Sequence, residues 1–322
     1  MGYTSIRSPN ASLVNAKFFE ALETDTGLAK FAQITGRFIR ERLREISILD
    51  RILPRILVSK DELQTDEKSD TLYDLIEKEY DTEAPACALS FLSGVPVVFY
   101  EAKRFRVNFH PIASPLYKKP LDELLAIKQP ITSILEQAIV EKINDARDAY
   151  FFNGCEVIIS NFGAQYGTYQ EVATPNKKLT KEVISTLTKM FSRNQLLPGV
   201  IVMNKELFDT VYEWTFQEMG MQIGEITING FNYTTLNNIP VVTTMKKNPF
   251  SRQPLIANDV VWGFAAPDFL GVNEVLVDPK VMMKTELEAG AEAPMFLTKG
   301  WFLGGVSIGN VKGVVKIKLI AA

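Results

Sequence analysis

Residues 121–152 read LDELLAIKQPITSILEQAIVEKINDARDAYFF, and this stretch decides the fold. Ile131, Ile134, Leu135, Ala138, Ile139, Ile143, Ala146 and Tyr150 recur at three- and four-residue intervals. Glu136, Gln137, Glu141, Lys142, Asp145 and Asp148 fall on the other faces, so the spacing predicts a half-buried helix. At 1.5 Å per residue such a helix reaches roughly 45 Å, more than the width of a small domain, which makes it a strut for other elements. Pro120 suits a first helical position, Asp122 and Glu123 complement the positive end of the dipole, and Asn153 with Gly154 supplies a stop. Pro130 removes a backbone donor and predicts a kink. Nothing in the helix carries a chemical motif.

Around it lies ordinary globular sequence. The chain has 322 residues, 46% hydrophobic and 23% charged, enough for two or three cores on one scaffold. A net charge of -3 implies no general nucleic-acid-binding surface. Cys87 and Cys155 are the only cysteines, which points to a reducing compartment and away from a disulfide framework. No apolar run is long enough to span a bilayer, and MGYTSIRSPNAS lacks the apolar core of a signal peptide, so the expected address is the cytoplasm.

Upstream of the strut, Ser12 is placed to cap a helix over 13–22, and a second helical pattern runs from Leu28 to about Leu49 before Pro54. Residues 1–60 carry ten Lys or Arg against six acids, a local net of +4. That basic side, with Arg37, Arg40 and Arg44, reads either as a solvated face or as an inward arm meeting nucleic acid or an acidic partner. Residues 61–84 reverse the sign, ten acids against Lys68 and Lys78 for a net of -8, and read as an exposed loop. Three extended runs follow: Cys87–Leu92, Val95–Tyr100 and Arg104–His110. In the last, Phe105, Val107 and Phe109 alternate with Arg104, Arg106 and Asn108, giving one apolar and one largely cationic face. A hairpin of this kind is not stable alone and must lie on its own domain or on a neighbour.

Downstream, Glu156–Ser160 reads as a short strand and NFGAQYGTYQ as a turn-rich connection. Leu179–Asn194 predicts a helix capped near Thr180, with Val183, Leu187, Met190 and Phe191 inside. GVIVM at 199–203 predicts a fully buried strand delivering Asn204 as the cap of a helix whose inner face holds Leu207, Val211 and Trp214. Ile226–Ile228, Asn229-Gly230 and Phe231–Thr234 predict a hairpin, and Pro240–Thr244, Val260–Ala265 and Glu274–Val277 predict strands. From Lys299 to Leu319, glycines at 300, 304, 305, 309 and 313 punctuate Val/Ile-rich strands, at turns or close backbone crossings.

The search for chemistry finds little. His110 is the single histidine, and no nucleophile motif surrounds it or Cys155. One His and two distant Cys do not make a zinc site, and the acids at 61–84 lack calcium-loop spacing. The C-terminal glycines match no phosphate-binding fingerprint, and Trp214, Trp262 and Trp301 read as core or interface anchors. Neither a cofactor nor a metal is expected.

The order of parts is itself distinctive. RFRVNFHPIASPLYKKPLDELLAIKQPITSILEQAIVEKINDARDAYFFNG resembles the extended loop running into the spine helix of the tailed-bacteriophage major capsid proteins, the Hong Kong 97-type fold shared with encapsulins. GVIVMNKELFDTVYEW followed by NGFNYTTLNNIPVVTT resembles that family's axial domain. The likeness runs from about Leu28 to Leu319 and lies in element order and texture, without one diagnostic motif.

The resemblance implies an α+β chain: an N-terminal helical arm over 1–60, an extended loop with a β-hairpin over 61–118, a peripheral domain with the spine helix over 119–195 and 278–322, and a mixed αβ axial domain over 196–277. It implies a structural, non-enzymatic role, with self-assembly into pentamers and hexamers around double-stranded DNA and localisation in the virion after assembly in the host cytoplasm. The implied partners are scaffolding, portal and cement proteins and non-specifically contacted DNA, with no membrane. Inter-subunit contacts are expected at Lys103, Arg104 and Arg106 of the loop and at Asp74, Glu77 and Glu79 of the acidic segment, and inner-surface cations at Arg37, Arg40 and Arg44. The isopeptide crosslink of some relatives is matched only by Lys103, without its Asn and Glu, and only about 25 residues precede the second helix, so scaffolding is expected to be a separate protein or unnecessary. An encapsulin-like compartment, or a cytoplasmic αβ enzyme using His110 and Cys155, are the alternatives.

Overall fold

A computed structural model describes residues 47–66, 71–79, 103–120, 131–213, 235–286 and 295–321. The arm helices with Arg37, Arg40 and Arg44, the runs 87–92 and 95–100, the Pro130 kink, Trp214 and the 226–234 hairpin lie outside these residues.

The strut is a 36-residue helix, α2 (Ile131–Tyr166). Both its predicted ends differ. Pro120 closes strand β6 (Tyr117–Pro120) instead of opening a helix. Asn153 and Gly154 sit exposed inside α2, because Phe151, Phe152, Cys155 and Ile159 are buried on either side of them. Tertiary burial of that face outweighs a glycine penalty of about 1 kcal/mol, so the strand expected at 156–160 is helix. The stop comes at Gly167, whose φ of 63° admits the left-handed turn, and Thr168 N–H closes onto Gly163 O at 2.9 Å.

Two sheets lie along the helix. A five-stranded sheet joins β1 (Arg55–Leu57), β12 (Gly271–Glu286) and β13 (Met295–Ile308), with β5 (His110–Ala113) and β6 both along β13. A six-stranded sheet runs β7 (Tyr169–Thr174), β14 (Val314–Ala321), β11 (Val260–Ala265), β8 (Pro198–Asn204), β10 (Ile239–Thr244) and β9 (Thr235–Leu236). Sheet membership therefore separates β14 from β12 and β13.

The six-stranded sheet is buried on both faces. Ile201, Met203, Val261, Ala265, Val315, Ile317 and Leu319 face helix α3 (Lys181–Arg193), meeting Val183, Leu187, Met190 and Phe191. The alternate residues Val200, Val202, Trp262, Phe264 and Val314 meet Phe151, Phe152, Cys155 and Ile159 of α2, and Leu49 and Ile52 of the short helix α1 (Leu49–Ile52). Continuous apolar strands follow from this double burial. Asn204 caps helix α4 (Lys205–Asp209) as expected, its side chain accepting from Glu206 N–H at 3.0 Å. The N-terminal half of α2 uses Ile139 and Ile143 against Val275 and Phe302 of the five-stranded sheet.

Glycines set the layer spacing. A Cβ on Gly300 would lie 2.1 Å from Ile139 Cγ2, and one on Gly305 would lie 2.7 Å from Asn108 O. Of the two places expected for these glycines, turns and close crossings, Gly300, Gly304 and Gly305 take the second, since β13 runs unbroken through them. Bare backbone on its two faces lets α2 approach one side and the extended loop the other.

Candidate assembly surfaces

Residues 64–65, 72–78 and 103–108 fold together. Strands β2 (Gln64–Thr65), β3 (Leu72–Lys78) and β4 (Lys103–Asn108) form a three-stranded ribbon. The acidic segment, read from sequence as an exposed loop, supplies β3, and its register sets Glu77 opposite Arg104 and Leu75 opposite Arg106. Alternation is as predicted: Val107 is buried and Phe105 half-buried on the inner face, while Arg104 and Arg106 project outward. Phe109 N–H donates to Leu72 O at 2.9 Å where the chain leaves the ribbon for β5.

The outer face is a charge ladder. Arg104 pairs with Glu77 at 2.8 Å, both side chains 61% exposed, and Arg106 pairs with Asp66 at 2.7 Å while stacking on Tyr73. Two of the expected inter-subunit cations thus meet acids of their own chain. Lys103 lies opposite Lys78, and Glu79 is exposed just beyond β3. Lys78 donates to Gly309 O at 2.9 Å; burial, then Lys103 and Lys312, lower its pKa. Asp74 departs from the group, turning inward on the Val107 side of the ribbon.

A second constellation was not visible in the sequence. Asp148, Arg147 and Asp145, expected on wet helix faces where named, are buried at the junction of the two sheets, whereas Tyr150, expected inside, is 57% exposed. Asp148 accepts from Ser47 Oγ at 2.7 Å, from the amides of Ile48 and Leu49 at 3.1 and 3.0 Å, and from Lys246 Nζ at 2.8 Å. It therefore caps α1 from about a hundred residues away; of the helical pattern expected from Leu28 to about Leu49, residues 28–46 lie outside the described residues. Arg147 lies over the Phe302 ring and donates to Asp50 Oδ1 and Asn273 Oδ1, each at 3.1 Å. Asp50 also binds Arg55, which reaches Asp278 at 3.1 Å. One polar network thus fastens residues 47–55, the spine, β12 and the Lys246 loop. The available signal was the run Asp145-Ala146-Arg147-Asp148-Ala149, where alanines flank charges at a close-packed helix position.

The residues of the enzyme reading do not converge. Cys155 is fully buried in the core behind Trp262 and Phe264, and burial pushes its thiol far above the ordinary range. His110 is exposed on β5 opposite Gly304. Among the described residues no three His, Cys, Asp or Glu stand at metal-holding spacing, and no helix is long and apolar enough to cross a membrane.

With this geometry in view, similarity to solved structures is decisive. A structure from Microbacterium phage Oxtober96 is similar with a TM-score of 0.61 and 11% identity, over 91% of this chain and 97% of that one. The capsid of Cyanophage P-SCSP1u gives 0.54 and 10%, over 93% and 96%. The capsid of a native GTA particle with C5 symmetry gives 0.54 and 15%, over 89% and 94%. The chain has the phage major capsid protein fold. That fold is mixed α+β, as expected. No protein-family model and no curated protein matches the sequence.

Proposed function

We propose that this chain is the shell-forming major capsid protein of a tailed bacteriophage, assembling as pentamers and hexamers around double-stranded DNA. The carrying observation is that the likeness to two capsids covers about nine-tenths of this chain and more of theirs, which leaves little room for a separate catalytic module. The role is structural, and the protein's place is the virion, after assembly in the host cytoplasm.

Head-to-tail contacts close into rings when the rotation between copies closes, as around five- and six-fold axes. The outward ladder of Arg104, Glu77 and Arg106 is the surface such a contact would use, with Glu79 beyond its end and the exposed Lys103 on the same face as the inward Asp74. Scaffolding, portal and cement proteins, together with DNA met non-specifically by Arg37, Arg40 and Arg44, complete the proposed set of partners.

Electron microscopy of the purified protein, alone and with a candidate scaffold, tests this. Capsomers, tubes or closed shells are expected, and a persistent monomer in every condition would overturn the reading. The contents of native particles separate a virus, which holds DNA, from a compartment, which holds a folded cargo enzyme.

A further inference from the structure

Glu274 is a buried carboxyl with an unusual neighbourhood. It stands on the ribbon-facing side of β12, between Ile56 of β1 and Gly305 of β13, where bare Gly305 lets the ribbon backbone at Asn108 approach. It is 4% exposed, and its Oε2 is buried without a hydrogen-bond partner. Asp74, on the inner face of β3 and paired with the Val107 that packs on Gly305, places a second carboxyl beside Glu274, and Glu62 of the turn Lys60–Glu62 adds a third negative charge. The neighbouring cations are engaged elsewhere. Arg55 binds Asp50 and Asp278, Arg106 binds Asp66, Arg147 binds Asp50 and Asn273 on the opposite face of the sheet, and Lys78 reaches Gly309 O. Val107, across from Asp74 on β4, offers no polar atom from its side chain.

Two ionised carboxylates are acceptors only and repel; one proton between them makes a donor and an acceptor. We propose that a protonated Glu274 donates a hydrogen bond to the Asp74 carboxyl, and that this bond clamps the β3–β4 ribbon onto the β12–β13 sheet. Burial first, then Asp74 and Glu62, pushes Glu274 up to about 7 in the docked form. Undocking separates the carboxyls and returns Glu274 to an ordinary glutamate. The docked form thus binds more protons, and raising the pH from the ordinary glutamate range through about 7 weakens docking. The clamp belongs to the subunit itself and does not depend on the shell reading.

Amide hydrogen exchange of the full chain, held as an unassembled subunit, reads this directly. Protection of β3 and β4 amides, normalised to β11 and β14, should fall by about tenfold or more between about pH 5.5 and 8.5. Glu274→Gln supplies a permanent donor and should give a flat profile, whereas Asp74→Asn, at a half-buried site, should give a shallower slope than the wild type, because burial and Glu62 still act on Glu274. A wild-type profile already flat, or the wild-type slope retained in Asp74→Asn, would overturn the clamp. So would ribbon protection at high pH restored by magnesium alone, which would assign the carboxyls to a cation.

Discussion

Asp148 and Lys246, 98 residues apart, form a 2.8 Å ion pair inside the protein, with the carboxylate fully buried. The pair binds the middle of the spine to the loop after β10, and the same carboxylate fixes the start of α1. A buried pair has modest net worth but is severe to break, because the surviving charge stays in a low-dielectric site.

Asp148→Asn should therefore lower unfolding free energy by about 3–5 kcal/mol. Lys246→Met should cost a comparable amount. In urea titrations the double variant should be less destabilised than the sum by more than about 1 kcal/mol, because each partner's loss relieves the other's penalty.

Two glycines of the spine interface should answer oppositely to alanine. Gly300→Ala places a Cβ 2.1 Å from Ile139 Cγ2 and should destabilise by about 1–3 kcal/mol. Gly154→Ala meets nothing within 4 Å on an exposed turn of α2 and should stabilise by about 0.5–1 kcal/mol. Thermal denaturation of the two variants side by side checks both signs.

The ribbon ladder separates folding from assembly. Arg104→Glu with Arg106→Glu should leave Tm almost unchanged, since exposed pairs are worth about 0–1 kcal/mol, while weakening assembly in a salt-dependent way. Exchanging the partners, Arg104→Glu with Glu77→Arg, restores the in-chain pair. Light scattering should show assembly rescued by the exchange if the ladder acts through its own register, and still lost if a neighbour reads Arg104 directly.

Asp50 should shape the acid limb of stability. Burial raises its pKa, but hydrogen bonding to Arg55 and the charges of Arg147 and Arg55 outweigh that and hold it below the usual carboxylate value of 3.8. A depressed carboxylate stabilises above its unfolded pKa, and that contribution is lost as pH falls below about 4. In Tm measured against pH, Asp50→Asn should flatten this limb while lowering the plateau, since Arg147 stays buried without its anion.

Period and burial made much of the fold legible. GVIVM, VVWGFA and the Val183–Phe191 spacing all sit where their alternation or helical repeat places them, because both faces of the six-stranded sheet are covered. The helix end was misread at Asn153-Gly154, where a local breaker is overruled by buried aromatics on each side of it. The polar junction was hidden for a different reason. Asp148 acquires its meaning from Ser47 and Lys246, which no window around it contains, and a buried paired acid looks in sequence like a wet one. Glu77 and Arg104 were singled out as complementary, yet the register that brings them together within one chain depends on β3 arising from a stretch that reads as loop.

The position of β14 between β7 and β11 has a temporal side. Synthesis delivers β7, β8, β10 and β11 first, and the edge strand β7 has no partner joining it to β11 until residues 314–321 arrive. Asp148 likewise waits for Lys246. The ribbon and the spine can form early, but the body that holds them in fixed relation is completed late. If the chain assembles as proposed, a nascent copy carries the ribbon before the body that orients it is complete, and the closing of one strand sets when that orientation becomes fixed.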